Sequence, residues 1–284
     1  MPPAADGAGR PRRGRAAGRV PAGRRRRPRA GGPVSDAAAG PAVPPLRGAF
    51  VIATDTDVGK TVLAAAICAR LRADGEPVVA HKPAVTGLDD PAPEGGRDHE
   101  LLAACTGQAP EDVCPRTFGP AVSPHLAAEL AAERLVPADL VASAARAGVG
   151  RTLVVEGIGG LLVPFDRAGY DVRALCCDLG LPVVIAARPG LGTINHVRLT
   201  VDVARAAGLD VRAIVLTPWT AGDALADDNR RTVAALTDVP THVLPLAELT
   251  PEGLALAAAE LPVASWIGEA AAPVRPAPAP PADA

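Results

Sequence analysis

Short runs of apolar residues recur along the chain, and most of them end in polar or glycine-rich segments. A short, continuous apolar run is typical of a strand that is covered on both faces of its sheet. We predict strands at residues 49–53, 78–80, 152–155, 182–186, 211–216 and 242–244.

Between these runs the apolar positions follow a helical spacing. In the segment 61–72, Val62, Ala65 and Ala69 fall on one side of a helix, and Gly75 follows as a common helix-ending residue. We predict further helices at 99–106, 124–133, 138–147, 172–178, 194–207 and 226–236. Alternating strands and helices favour an α/β fold with a parallel sheet and helices on both faces. We expect a single domain of this kind over residues 48–268.

Charge is divided unevenly along the chain, although the formal net charge is only −2. Residues 1–48 contain 11 arginines and two acidic residues, whereas the rest of the chain has an excess of acid. A segment this rich in proline, glycine, alanine and arginine buries little apolar surface, so we predict a disordered tail over 1–47. A second disordered tail, rich in proline and alanine, is predicted over 269–284.

The arginine-rich tail has several interpretations. Nucleic-acid binding, organelle targeting and an extension without function are alternatives for such a charge run. We predict that it takes no part in the chemistry and that the protein has no nucleic-acid partner.

The five cysteines include the adjacent pair Cys176 and Cys177 and show no Cys-x-x-Cys spacing. Together with the lack of a secretory apolar segment at the start, this is typical of a reduced cytoplasmic protein. His81, His99 and His242 show no metal-ligand spacing. A membrane span needs roughly 18 apolar residues, and no run of that length lacks both charge and proline. We therefore expect a cytoplasmic location and no membrane partner.

The first predicted strand runs into a loop with the sequence ATDTDVGKT, at residues 53–61, and a helix follows. This strand–loop–helix order is what a phosphate-binding P-loop requires, and it predicts a P-loop NTPase-type fold. Gly59 would let the backbone approach the phosphates, Lys60 would reach the β- and γ-phosphates, and Thr61 would offer a hydroxyl to Mg²⁺. Thr54 stands where the usual pattern has its first glycine, so the loop is a variant. The predicted ATP contacts are Asp57, Val58, Gly59, Lys60, Thr61 and Val62.

Only two of the 29 basic residues are lysines, and both lie in segments suited to phosphate binding. Lys60 belongs to the P-loop, and Lys82 ends the second strand in the sequence HKP. Arginine and lysine are not interchangeable where a compact ammonium must fit among phosphate oxygens. Ligands of an open α/β sheet bind at the carboxyl ends of strands, so both lysines should emerge at one edge. We predict that Lys82 is catalytic and faces the transferred phosphoryl group; a solvated strand-end lysine is the alternative.

Two carboxylates lie where a magnesium ion bound to phosphates would need them. Glu156 follows the third predicted strand, at 152–155, and precedes a glycine-rich turn, while Asp98 opens a predicted helix. Mg²⁺ takes only one or two protein carboxylates, besides water and phosphate oxygens. A role for Asp98 as a helix N-cap alone is the alternative. We predict that Thr61, Asp98 and Glu156 hold Mg²⁺, and that Asp98, Glu156, Gly157, Ile158 and Gly159 contact ATP.

Four segments together resemble the dethiobiotin synthase family. TDTDVGKT at 54–61 is similar to the family's GTDTxVGKT, and HKPAVTG at 81–87 to its KPxxTG. VEGIGG at 155–160 is similar to VEGAGG, and LGTINH at 191–196 to LGxxNH. Ser123-Pro-His125 also fits, and the segments occur in the family's order over about residues 49–250.

The resemblance implies an ATP- and Mg²⁺-dependent ligase of biotin biosynthesis. In that reaction 7,8-diaminopelargonate (7,8-diaminononanoate) is carbamated by CO2, ATP phosphorylates the carbamate, and the second amine closes the ureido ring. The resemblance further implies that Lys82 stabilises the carbamate and the migrating phosphoryl group, while Thr86 binds the substrate. It also implies a homodimer in which backbone N–H groups from Gly192 to Asn195 bind the substrate carboxylate from the partner subunit.

The chain departs from the family pattern at the nucleotide. Ala53 replaces the leading glycine of the loop, and Thr217-Pro-Trp219 stands where the family often has Asn-Asp to read adenine. The base preference is therefore open. The predicted contacts on the side of the base are Thr217, Pro218, Pro245, Leu246 and Ala247.

Two other classes share a P-loop. An amidating or anhydride-forming synthase, such as a cobyrinate amidating enzyme, usually carries a glutaminase domain, for which we expect no room after residue 268. A partitioning or switch ATPase needs a lysine near the start of the loop, and residues 53–58 contain none. Both remain alternatives to the ligase.

Overall fold

The computed structural model describes residues 45–93 and 95–270. Its strands are β1 (Arg47–Ala53), β2 (Val78–His81), β3 (Thr152–Glu156), β4 (Val183–Ala187), β5 (Val211–Trp219), β6 (Thr241–Pro245) and β7 (Gly268–Glu269). Its helices are α1 (Lys60–Ala73), α2 (Asp98–Thr106), α3 (Pro110–Val113), α4 (Pro124–Leu130), α5 (Pro137–Ala147), α6 (Val172–Leu179), α7 (Thr193–Ala206), α8 (Ala224–Thr237), α9 (Pro251–Ala257) and α10 (Val263–Trp266).

The first six strands form one parallel sheet in the order β2-β3-β1-β4-β5-β6, and β7 pairs antiparallel with β1. The predicted α/β fold is therefore confirmed. Because β3 lies between β2 and β1 and pairs parallel with both, the carboxyl ends of β2, β3 and β1 are neighbours. This order brings together the segments that follow three strands far apart in sequence.

Alternate residues of β1 belong to two different hydrophobic clusters, as expected for side chains that point to opposite faces. Phe50 and Ile52 pack with residues of α5, α6, α7 and α8. Val51 and Ala53 pack with residues of α1, α2 and α9. Helices thus cover both faces of the sheet, which explains why the strands read as continuous apolar runs.

The folded domain is slightly longer than the predicted range of 48–268. Leu46 is buried, and its carbonyl accepts a hydrogen bond from the Ala270 N–H at 2.7 Å. Arg47 already belongs to β1 and pairs with Glu269 of β7. The remainder of each predicted tail lies outside the described residues.

Several element bounds differ from the predictions for local reasons. The short elements α3, α9, α10 and β7 were not predicted, because two to seven residues carry little periodicity. The predicted helix 124–133 ends at Leu130, and Ala132 follows with a left-handed φ of 55°. β5 continues past 216 to Trp219, which pairs with Pro245 of β6.

All five cysteines are free thiols, and they lie within the described part of the chain. In the same part, no helix combines the length and apolar character that crossing a membrane would require.

His81, the last residue of β2, is a buried imidazole with a strongly shifted pKa. It is 1% exposed, and neither ring nitrogen has a hydrogen-bond partner among residues 45–93 and 95–270. Burial, helped by the charge of Arg146, lowers the pKa of His81 from 6.5 to about 4. The folded protein therefore keeps this side chain neutral under mildly acidic conditions.

We expect His81 to make the protein less stable as the pH falls from 6.5 towards 4. The unfolded chain takes up a proton near pH 6.5 and the folded protein only near pH 4, so protonation favours unfolding within this window. At 1.36 kcal/mol per pH unit, the loss is about 3 kcal/mol. Denaturant unfolding at pH 7 and pH 4.5 should show a shallower loss for His81→Leu than for the wild type. An identical pH dependence in the two proteins would contradict this assignment.

Candidate active site

The P-loop joins β1 to α1 through a glycine that the geometry requires. Gly59 has a φ of 83°, a left-handed conformation that glycine adopts without strain. A Cβ at this position would also lie 2.8 Å from Cγ2 of Thr217. The lack of a side chain at Gly59 therefore allows the loop to pack closely against Thr217 near the end of β5. Helix α1 begins at the next residue, Lys60.

Two lysines and two carboxylates meet beyond the carboxyl ends of β1, β2 and β3. Nζ of Lys60 lies 2.9 Å from Oε1 of Glu156, and Nζ of Lys82 lies 2.6 Å from the same oxygen. Lys82 Nζ also lies 2.7 Å from Oδ2 of Asp98. The Thr61 hydroxyl donates to Glu156 Oε1 at 2.8 Å. The structure therefore brings the two lysines of the chain onto one carboxylate oxygen.

The opposite charges in this cluster shift the pKa values of Lys82 and Asp98 in favour of their ionised forms. Burial alone would lower the pKa of Lys82, but Glu156 and Asp98 raise it above its ordinary value. Burial alone would raise the pKa of Asp98, but Lys82 and Lys60 lower it well below its usual range. Lys82 is 2% exposed and the Asp98 side chain 44% exposed. A solvated strand-end lysine, the alternative for Lys82, is therefore excluded.

The second carboxylate oxygen of Glu156 is the feature that fits a metal ion. Glu156 is 0% exposed, and its Oε2 has no hydrogen-bond partner within the part of the chain that the structure describes. A buried carboxylate oxygen without a partner is costly, and a bound cation would satisfy it. Thr61, Asp98 and Glu156 supply only oxygen donors, which suits hard Mg²⁺. These residues fit the predicted magnesium site.

Asp98 lies inside the helix rather than capping it. The N-cap of α2 is Arg97, and the Arg97 backbone N–H donates to Oε2 of Glu100 at 2.8 Å. Asp98 is the first residue of the helix, and its side chain points to Lys82. The alternative that Asp98 serves only as a cap was therefore wrong.

A cleft of about 610 Å³ opens over this cluster. Its lining comes from the P-loop, from the segment after β2, from the start of α2 and from the turn after β3. Ten of the predicted site residues line it: Asp57, Gly59, Lys60, Thr61, Val62, Lys82, Thr86, Asp98, Ile158 and Gly159.

Three predicted ATP contacts lie beneath the surface of the cleft. Glu156 is fully buried under the two lysines. Val58 is buried with the core around α1. The Gly157 N–H donates to the Val51 carbonyl at 2.9 Å. In the described chain, Val58 and Gly157 therefore support the site from below rather than lining it.

The residues predicted on the side of the base lie together at the ends of β5 and β6. Thr217 is buried against Gly59, and Pro218 is exposed. Pro245 pairs with Trp219, so the segment 245–247 lies beside 217–219. Leu246 is exposed. None of these residues lines the cleft formed by residues 45–93 and 95–270.

Gly192 and Asn195 lie at the start of α7, after β4. Gly192 is the N-cap, with a φ of 93°, and Asn195 lies in the first turn. The side chain of Asn229 holds the preceding loop by donating to the carbonyls of Pro189 at 2.8 Å and Gly190 at 3.2 Å. In the described part of the chain, neither Gly192 nor Asn195 lines the cleft.

A family described as an AAA domain matches residues 47–252, the span that contains all of these site segments. The chain is also 43% identical over 175 residues to the ATP-dependent dethiobiotin synthetase BioD of Anaeromyxobacter sp. (strain Fw109-5). That match covers 60% of this chain and 76% of the relative. The chain belongs to the dethiobiotin synthetase family. BioD of Haloferax mediterranei is 36% identical over 69% of this chain and 82% of its own length, and BioD of Bacillus subtilis is 34% identical over 60% and 74%.

In this member of the dethiobiotin synthetase family, the cleft has lining residues that sequence reasoning missed. They include Thr56, Asp90, Arg97 and Ala121. Arg97 adjoins Asp98 in the sequence, and this was the only available signal for it. Thr56 lies in the segment TDTDVGKT at 54–61, which was the available signal for it. Asp90 and Ala121 lie outside the quoted motifs.

Proposed function

We propose that this chain closes the ureido ring of dethiobiotin from 7,8-diaminopelargonate and CO2 through a phosphorylated carbamate. Membership of the family makes the chain an ATP-dependent ligase, a dethiobiotin synthetase of biotin biosynthesis. The observation that carries the proposed mechanism is the position of Lys82, buried between Glu156 and Asp98 beside the P-loop lysine. The substrates, the metal and the roles of individual residues belong to the proposal.

The reaction needs charge stabilisation more than covalent help from the protein. One amine adds to CO2 and loses a proton to give the carbamate. A carbamate oxygen then attacks the γ-phosphorus, and ADP leaves. The second amine then attacks the carbamoyl carbon, loses its proton and expels phosphate. In each step, negative charge increases on oxygen atoms in the transition state. Fixed cations in a water-poor site stabilise this charge and so lower the activation free energy.

The roles of the residues follow from their positions in the cleft. Lys60 would bind the β- and γ-phosphates, and Lys82 would stabilise the carbamate and the phosphoryl group. Thr61, Asp98 and Glu156 would hold Mg²⁺, which supplies further positive charge to the phosphate oxygens when it is bound. Thr86 lines the same cleft and would hydrogen-bond the diamine.

The carboxylate of the substrate would be bound by a second copy of the chain. Gly192 and Asn195 lie outside the cleft of their own chain, and they open a helix whose N-terminus attracts anions. Leu191, beside them, is 88% exposed, and Leu162 and Leu199 are also exposed. These side chains would be covered in a homodimer. A cytoplasmic location and the lack of a nucleic-acid partner stay predictions.

We expect the purified protein to consume ATP only when both 7,8-diaminopelargonate and bicarbonate are present. Closing one ring releases one phosphate, so the amounts of phosphate and dethiobiotin formed should be equal. A phosphate-release assay with mass-spectrometric detection of dethiobiotin measures both. Reactions without the diamine and without bicarbonate are the controls. ATP hydrolysis at the same rate without the diamine would contradict the proposed function.

A further inference from the structure

Arg97 forms a link between two segments of the cleft. Its Nη1 donates to the carbonyl of Gly87 at 3.1 Å. Its Nη2 donates to the carbonyls of Leu88 and Asp90, both at 2.9 Å. Three carbonyls of one loop thus share a single guanidinium, and this loop directly follows Thr86.

The opposite side of the same loop is held by backbone hydrogen bonds. The N–H groups of 87, 88 and 89 donate to the carbonyls of Pro120, Phe118 and Gly119 at 3.1, 3.1 and 2.9 Å. Two of the remaining carbonyls, those of Leu88 and Asp90, accept from the Nη2 of Arg97. Removing the guanidinium would therefore free one side of the loop and leave the other side paired.

The other end of the link is the start of α2. The Arg97 N–H donates to Glu100 Oε2 at 2.8 Å, and the Glu100 N–H donates to the Arg97 carbonyl at 3.0 Å. The next residue, Asp98, contacts Lys82 at 2.7 Å. A displacement of Arg97 would therefore be passed on to the carboxylate that faces the catalytic lysine.

We propose that Arg97 is a positioning residue that couples the substrate loop, 86–90, to the proposed metal ligand Asp98. This inference rests on the proposed roles of Thr86 and Asp98. An arginine is suited to the task because its planar fork presents several donors in fixed directions. A lysine offers a single compact ammonium and does not span the three carbonyls.

The test compares Arg97→Lys with the wild type in the dethiobiotin assay. We expect kcat/KM for the diamine to fall by about 10²-fold, because small displacements of reacting groups reduce rates by about this factor. The KM for the diamine and the Mg²⁺ concentration for half-maximal activity should both rise. Binding of ATP, measured by calorimetry without the diamine and without Mg²⁺, should weaken much less than kcat/KM falls, since Lys60 and the rest of the P-loop are unchanged. Arg97→Gln serves as a second variant with a smaller, uncharged donor group.

Arg212→Lys is the matched control. Arg212 also donates to a backbone carbonyl, that of Ser265 at 3.1 Å, and contacts Asp210 at 2.7 Å. It lies near the start of β5, at the sheet edge opposite the cleft. We expect this variant to keep the wild-type KM for the diamine and the wild-type Mg²⁺ dependence.

The outcomes separate this inference from the proposed function. If the wild-type protein forms no dethiobiotin, the proposed function fails. If the wild type is active and Arg97→Lys behaves like Arg212→Lys, the coupling role is wrong. A lower midpoint of thermal unfolding with unchanged KM and Mg²⁺ dependence would show a purely structural role and would likewise overturn the inference.

Discussion

We expect the Lys82→Arg variant to bind ATP but to form dethiobiotin about 10²–10³-fold more slowly than the wild type, the usual cost of losing one stabilising donor. Lys82 is 2% exposed, and its ammonium fits between two carboxylate oxygens at 2.6 and 2.7 Å. A guanidinium is larger and planar, so it carries the charge but cannot place it at the same point. Lys60 and the P-loop are unchanged, which is why nucleotide binding should persist.

The measurement combines calorimetric ATP binding with single-turnover formation of dethiobiotin. Lys82→Met is the second variant, since it fits the buried space without the charge and should be at least as slow. Arg70→Lys is a matched control on an exposed ion pair, with Asp74, within the same domain. A Lys82→Arg variant with the wild-type rate of ring closure would contradict the catalytic role of Lys82.

The fold and the meeting of the candidate site residues could be predicted because their signals are local in sequence. The apolar run before the P-loop, the pattern Gly59-Lys60-Thr61 and the strand-end positions of Lys82 and Glu156 each mark one end of a parallel strand. Parallel strands place such ends at one edge, so four side chains could be expected to meet. The sheet order adds that β1 lies directly beside β3.

The features that sequence reasoning missed depend on backbone positions rather than side-chain patterns. Arg97 donates hydrogen bonds to three backbone carbonyl groups. Because every residue has a carbonyl group, the types of the partner residues do not reveal these hydrogen bonds in the sequence. Leu46 lies in a stretch rich in proline and was assigned to a tail, yet it packs in the core and pairs with Ala270. Contacts of this kind require the tertiary structure.

We expect Glu156→Gln to have two separable effects, on stability and on the requirement for Mg²⁺. Glu156 is 0% exposed and accepts from Lys60, Lys82 and Thr61. Removing its charge takes from Lys60 the carboxylate with which it pairs and leaves Lys82 with Asp98 alone. Removing one partner of a buried ion pair lowers the free energy of unfolding by about 3–5 kcal/mol. Denaturant unfolding of the protein without nucleotide or metal should show a loss of this size.

The comparison with Asp98→Asn distinguishes the stabilising role from the metal-binding role. The Asp98 side chain is 44% exposed, so solvent screens its pairing with Lys82 and the loss of stability should be smaller. Both variants remove a carboxylate that the proposed Mg²⁺ needs, so both should raise the Mg²⁺ concentration for half-maximal activity. Equal losses of stability would show that burial does not set the strength of these pairs. An unchanged Mg²⁺ dependence in Glu156→Gln would instead mean that the oxygen without a partner, Oε2, is not where the metal binds.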